Sequence, residues 1–489
     1  MRCMPGAVCC VRCPTRDRGS HPFLPCPVHR RNSGNMTSPM PLTAHARDTL
    51  RLALPLAGSH MAQSALHMTD TIMLGWYGVT ELAAVVLGAS SFFIIFILGA
   101  GFAQAVMPMV AAALGRGDET QVRRDTRMGI WLSIGFGAVM YPVFWWSGPV
   151  FLALGQAADV AVLAQDYMRV AGLGLIPALI VMTLKSFLAA IDRAQVVLWV
   201  TVAGVFVNAA ANYALIFGSW GAPELGVVGA AIATVATQGA SLLLMGLYAH
   251  RHPAAGRFRL WQRFWRADAG ALRQVFRLGW PIGIQGLAEA GLFVATALMI
   301  GTIGKVQLAA HGIAMEVVSL LFMLHVGLAN AATLRAGRAD GAGDAQGLRD
   351  GAKAALAISF VVGVVGVAAF LAFPALLIGL FLDRSQPEAA AVIAYGRTLL
   401  AVAALFQLVD AGQVMAMGLL RGLRDTRVPM VIAAISYWVI GIPCGWFLGL
   451  YLGLGGGGVW GGLVIGLLVA ATALMWRFWT IAPKRAGVI

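Results

Sequence analysis

Asp410 stands in the middle of FQLVDAGQVM, Phe406 to Met415, inside an apolar run long enough to cross a bilayer. Glu289 interrupts a second such run. An ionisable side chain at mid-membrane costs about 2.5 to 3.5 kcal/mol on insertion scales, which makes each acid a candidate for function. With a helical rise of about 1.5 Å per residue, Asp410 lies about 16 Å from the membrane edge marked by Arg421, and Glu289 about 18 Å from the edge marked by Arg277. Carboxylates at one depth that face each other can hold a cation or a single proton between them, because both resist staying charged at close range. Asp410 is therefore expected to carry a coupling ion together with Glu289, and Na⁺ could sit between the two. Gln407 and Gln413, three residues to either side of Asp410, share its helix face and would extend the polar shell.

A second polar set occupies the first half of the chain. Asp70 lies about 28 Å beyond Arg51, and Asn208 and Asn212 lie about 22 and 28 Å beyond Arg193. Their four-residue spacing puts both amides on one side of a helix, near the depth of Asp70. His67, one turn before Asp70, could serve it as a pH-sensitive partner. A substrate cavity is expected to be lined by Gln63, His67, Gln285, Glu316, Phe406, Gln407 and Gln413, with Glu316 facing the same space as Glu289. Lys185 lies near enough to a membrane surface to snorkel. Met299, Met323 and Met415 suit either packing or an adaptable pocket for bulky apolar cations.

Long helices are needed to hold such residues. The chain has 489 residues, of which 59% are hydrophobic and 11% charged, against about a quarter charged in an ordinary soluble domain. Apolar windows of about 20 residues, enough to cross about 30 Å of hydrocarbon, recur from residue 50 onward. They predict an all-α integral membrane protein with twelve transmembrane helices, at 50–75, 83–113, 128–153, 165–190, 195–217, 227–249, 275–300, 306–334, 354–382, 392–420, 428–451 and 458–481.

The net charge of +14 follows the loops and does not form a nucleic-acid surface. Clusters such as Arg116, Arg123, Arg124 and Arg127, or Arg251, Arg257, Arg259, Arg263 and Arg266, fall on one side. The other side receives only Arg169, Lys305, Arg384 and Arg397. This asymmetry is the positive-inside pattern, and it predicts both termini in the cytoplasm of a multi-pass inner-membrane protein. Residues 1–45 differ in kind, with five of the six cysteines and no apolar run. They are expected to be disordered or to precede the true start, and the Cys10, Cys13, Cys26 and His29 spacing is only loosely like a zinc knuckle.

The chain also repeats itself. A shift of 226 residues lays RLALPLAGSHMAQSALHMTDTIMLG, from Arg51, over RLGWPIGIQGLAEAGLFVATALMIG, from Arg277, and Gly115–Asp118 (GRGD) over Gly341–Asp344 (GAGD). A shift of 232 places Asp192-Arg193 near Arg424-Asp425. Gln63 becomes the neutral counterpart of Glu289. Six spans per copy make a parallel repeat, so two pseudo-symmetric bundles are expected, 46–249 and 275–481, with a basic cytoplasmic linker at 250–274 and a tail at 482–489. Such halves are the usual build of secondary transporters. No P-loop pattern is present, the glycines Gly455 to Gly458 fall in a turn, and no nucleophile with a matching base suggests an enzyme.

Several segments together resemble one family. LALPLAGSHMAQSALHMTDTIMLG, FRLGWPIGIQGLAEAGLF, NYALIFGSWGAPELGVVGAAIAT and FQLVDAGQVMAMGLLRGLRDT look like segments of the multidrug and toxic compound extrusion (MATE) family, in its NorM-like bacterial branch, and the similarity runs from about residue 46 to 481. The resemblance implies an antiporter exporting organic cations in exchange for Na⁺ or H⁺, without a cofactor and expected to act as a monomer. It also implies that Asp70, Glu289 and Asp410 are the membrane acids of the first, seventh and tenth helices, with Asn208 and Asn212 the amides of the fifth. Phe406, Glu316 and His67 depart from the expected tyrosine, amide and small or apolar residue, and the last two would favour proton coupling. A lipid-linked oligosaccharide flippase of similar build is the alternative, but it would need a basic cavity, whereas the basic residues here are expected at the rim.

Overall fold

The computed structural model describes residues 41–382 and 388–485. Within them the chain is helical, with no strand among the described residues. The first copy of the repeat supplies α1 (Leu42–Tyr77), α2 (Val79–Gly115), α3 (Glu119–Trp145), α4 (Ala158–Ala190), α5 (Ala194–Phe217) and α6 (Gly226–Arg251). The second supplies α7 (Ala269–Gly301), α8 (Lys305–Ala342), α9 (Ala345–Ala372), α10 (Ala389–Gly422), α11 (Arg427–Tyr451) and α12 (Gly455–Arg485). Among the described residues, 11 helices are long and apolar enough to cross a membrane. Helix α1 is the long one outside that set. It has 36 residues, but His60, Gln63, Ser64, His67 and Asp70 dilute its apolar run. The Cys10 to His29 spacing and Arg384 lie outside the described residues.

The aligned GRGD and GAGD motifs have a local cause. Gly117 and Gly343 take left-handed φ values of 73° and 70°, which closes the preceding helix where a side chain would be strained. The aspartate that follows each glycine then caps the next helix: Asp118 accepts from Gln121 N at 2.9 Å and Asp344 from Gly347 N at 2.8 Å. The 232-residue shift has a backbone counterpart too, since Asp192 and Arg424 are both left-handed, at 63° and 60°.

Small residues let the helices approach. Gly441, Gly445 and Gly449 of α11 lie against Gly458, Gly462 and Gly466 of α12, a small-xxx-small seam that needs no hydrophobic driving force in lipid. Gly455 to Gly458 thus form the first turn of α12, correcting the expected turn. Helix α11 is π-helical at Ile435–Gly441 and again at Phe447–Tyr451.

The two copies meet reciprocally. Gly115 of α2 lies on the Arg338 backbone, and Gly341 of α8 lies on that of Ala112, each pair being the other displaced by the repeat. Gly327 faces Ala57, and Gly283 faces Leu98. The contacts of Ala57 with Gly327 and of Leu98 with Gly283 lie near mid-helix, and the Gly115 and Gly341 contacts at the ends of α2 and α8. Ion pairs gather there as well: Asp48 with Arg335 at 3.5 Å, Asp192 with Arg338 at 2.9 Å, Asp340 with Arg424 at 2.9 Å, and Asp425 with Arg477 at 2.7 Å. We call this the basic end. Toward the far ends of α1 and α7 the apolar residues Met68 and Leu298 are exposed, as are Ile94 and Leu320 near the middle of α2 and α8.

Candidate functional site

The first polar cluster is built by α1, α5 and α6. Helix α5 presents Asn208 and Asn212 one turn apart, and both are fully buried. Asn212 Nδ2 donates to Asp70 Oδ1 at 2.5 Å and to Asn208 Oδ1 at 3.1 Å. Thr234 of α6 donates to the other Asp70 oxygen at 3.2 Å. The Asp70 carboxylate is therefore held by two donors from two helices. His67 is exposed, and the hydrogen bonds of Asp70 go to Asn212 and Thr234 instead of to it.

Deeper in this half, Lys185 Nζ donates to Gln63 Oε1 at 3.2 Å. Lys185 reaches inward to an amide and does not snorkel. Gln63 and His67 line a small cavity of about 20 Å³ with Lys185, Thr201 and Gln238, room for about one water and not for a drug-sized ligand.

The second cluster belongs to α7, α10 and α11. Asp410 is 2% exposed, and its Oδ2 has no hydrogen-bond partner. Gln407 and Gln413 flank it on the same helix face, and Oε1 of each is also buried without a partner. Their amide nitrogens are engaged elsewhere: Gln413 donates to Tyr437 Oη at 2.7 Å, and Gln407 lies 3.5 Å from His325 Nδ1. Three acceptor oxygens on α10 thus lack a donor. Glu289 of α7 lies within electrostatic reach of Asp410 and of Arg421.

Arg421 corrects the expectation that the basic side chains stay at the rim. Its Nη2 donates to Gln285 Oε1 at 3.1 Å and its Nη1 to Gln104 Oε1 of the first half at 3.4 Å. The guanidinium folds inward, since Gln285 and Glu289, four residues apart on α7, offer it an oxygen-lined path. Gln285 is accordingly 3% exposed and occupied by Arg421.

Phe406 and Glu316 sit in contrasting surroundings. Phe406 is 1% exposed, its ring enclosed by Phe293 at 6.4 Å and Trp460 at 5.4 Å between centroids; it is packed core and does not border an open cavity. Glu316 is exposed. It precedes Gly327 by three helical turns, and so lies on the α8 face that meets Ala57 of the first half further along the helix. Tyr437, Thr234, Lys185 and Arg421 complete the clusters and were not singled out from the sequence as site residues; polar residues at matched depth on neighbouring spans were the available signal.

The model of the MatE family matches twice, at residues 55–214 and 281–447, and the two starts are separated by the 226 residues of the repeat. The chain belongs to the MatE family. As a MatE-family protein it is a multi-pass membrane transporter and not an enzyme. It is 47% identical over 442 residues to "Probable multidrug resistance protein NorM" of Rhizobium meliloti, covering 90% of this chain and 94% of the relative. It is 43% identical over 435 residues to the protein of that name from Agrobacterium fabrum, covering 89% and 94%. A solved "outward-facing conformation of a multidrug resistance MATE family transporter" superposes with a TM-score of 0.82 at 21% identity, covering 90% of this chain and 96% of that one. A eukaryotic MATE transporter superposes with a TM-score of 0.78 at 20% identity, covering 92% and 100%. At those identities the likeness is one of fold.

Proposed function

We propose that this MatE-family chain is a secondary multidrug antiporter of the inner membrane, exporting lipophilic cations in exchange for Na⁺ or H⁺. The observation that carries this reading is the trio of donorless buried oxygens, Asp410 Oδ2, Gln407 Oε1 and Gln413 Oε1, beside Glu289. Buried acceptors without a donor are rare in folded proteins. A proton on Asp410 would turn one of these oxygens into a donor, a Na⁺ would offer all of them a ligand, and loss of either cation would leave them unpaired again. Binding and release of the ion thus supplies a free-energy difference between two states of the second copy. The names of the relatives support multidrug compounds as the cargo.

The basic end, where the two copies are joined, corresponds to the cytoplasm by the positive-inside pattern, with twelve spans once α1 is counted and both termini inside. In this reading the conformation is closed inward and open outward, and the two six-helix bundles rock about their reciprocal contacts. Glu316 faces the cleft and favours cationic cargo over anions. A single chain contains every group invoked, so the monomer is the working unit. The flippase reading has less support: Arg421 is committed to Gln285 and Gln104, and Lys185 to Gln63.

The test is export of a fluorescent cationic dye from everted vesicles under a Na⁺ gradient and a pH gradient applied separately, for wild type, Asp410→Asn and Glu289→Gln. Loss of export in both variants at normal membrane abundance is expected, and the gradient that drives the wild type names the ion. Unchanged export in both would remove the second-copy site and leave Asp70 with Asn208 and Asn212 as the coupling group.

A further inference from the structure

The basic end carries a cavity that the transport reading does not use. Helix α3 places Arg123 and Arg127 one turn apart with Arg124 beside them, and the segment joining α6 to α7 folds over this face. Four bonds hold it down. Arg127 Nη1 donates to Arg263 O at 2.9 Å, Trp131 Nε1 to Phe264 O at 3.1 Å, Asp268 N to Met128 Sδ at 3.4 Å, and Arg123 Nη1 to Gln262 Oε1 at 3.5 Å. Arg263 is kept at a left-handed φ of 53°, a conformation that persists only where the surroundings over-determine it.

Between helix and segment lies a cavity of about 560 Å³, lined by Arg123, Arg124, Arg127, Arg263, Arg266 and Asp268. Five guanidinium groups there face a single carboxylate. Asp268 is itself divided, since Oδ1 accepts from Ala271 N at 3.1 Å to cap α7 while Oδ2 lies 3.5 Å from Arg124. Arg127 is only 6% exposed, and its Nε is buried with no partner. Mutual repulsion among fixed, always-charged guanidiniums calls for an anion, and their planar forks match phosphate oxygens.

We propose that this cavity binds a phosphate group, and that its source is the headgroup of an anionic phospholipid. Placement argues for the lipid. Three of the five lining arginines, Arg123, Arg124 and Arg127, sit in the first turns of a helix long and apolar enough to cross a membrane, where headgroups lie. Trp265, on the covering segment, is 78% exposed in the manner of an interfacial anchor. Basic pockets between spans on the cytoplasmic side suit such headgroups. A bound headgroup would tie α3 to the segment that leads into α7 and so brace the connection between the two copies.

The test uses the purified full chain, delipidated in neutral detergent, with binding read by native mass spectrometry. It is titrated with phosphatidylglycerol, with phosphatidylcholine and, separately, with inorganic phosphate. Arg124→Gln/Arg266→Gln removes two exposed charges without touching the core, and Arg127→Gln removes the buried one. One tightly retained phosphatidylglycerol is expected in the wild type, with affinity about 30-fold lower in the exposed double variant and no comparable retention of phosphatidylcholine. Binding of inorganic phosphate with the same arginine dependence, and no preference for anionic lipid, would overturn the lipid assignment. Lipid retention unaffected by either variant would overturn the site.

Discussion

Arg421 donates through Nη2 to the side-chain oxygen of Gln285 at 3.1 Å, and this bond carries a guanidinium from the end of α10 into the interior beside Glu289. The two acids of the second copy are consequently unlike. Glu289 has a cation within reach, whereas Asp410 is surrounded by amides and tyrosine.

The Arg421 and Glu289 charges should therefore be coupled energetically. Glu289 and Arg421 interact electrostatically, so removing the cation strands a charge inside the membrane, at a cost below the about 3 to 5 kcal/mol of a directly bonded buried pair. Arg421→Gln is expected to lower the unfolding temperature sharply, and Arg421→Gln with Glu289→Gln to recover part of the loss. A double-mutant cycle by thermal unfolding in detergent reads the difference. Strict additivity of the two single effects would remove the pairing.

In the first copy, Asn212 holds Asp70 and Asn208 at once. Asn212→Ala leaves a buried carboxylate short of a donor, which costs about 1 to 3 kcal/mol. A lowered unfolding temperature is expected, with Asn212→Asp no rescue because it sets two acids side by side. Wild-type stability for Asn212→Ala would mean that Thr234 and water suffice.

The reciprocal glycine contacts should control which end is open. Gly327→Leu drives a side chain into Ala57, and overpacking typically costs about 1 to 3 kcal/mol. That cost falls only on the state joined at the basic end, so the variant should populate the opposite state. Spin labels at Arg116 and Gln346, both exposed at that end, would report a longer distance. An unchanged distance distribution would mean that the joint yields without opening.

Glu316 makes a separable prediction, because in the proposed transport reading it faces the cleft between the two copies. Glu316→Gln should weaken binding of a dicationic dye about fivefold, the scale of one exposed charge pair. The dependence of export on the driving ion should stay as in the wild type. A change in ion dependence with dye affinity intact would move Glu316 into the coupling group.

Much of the architecture was legible beforehand, for identifiable reasons. Helix lengths follow from apolar runs that must satisfy every backbone group internally, and the GRGD and GAGD motifs foretold paired helix junctions because glycine conformation and aspartate capping are local. The run from His60 to Asp70 shows the limit of that reasoning: α1 is continuous, yet its polar face removes it from the apolar set. Arg421 shows another limit. Counting residues from a helix end gives depth but not the direction in which a long side chain folds.

By itself, the sequence determined the all-helical membrane fold, the repeat and its offset, and which helices carry acids, since each depends on periodicity or composition along one segment. Only the tertiary structure decided the partners. It gave Asp70 to Asn212 and Thr234, turned Arg421 inward to Gln285 and Gln104, enclosed Phe406 against Trp460, and left Glu316 exposed. Those outcomes depend on helix rotation and on contacts between residues far apart in the chain, where packing and the demand that buried polar groups find partners select one arrangement among many.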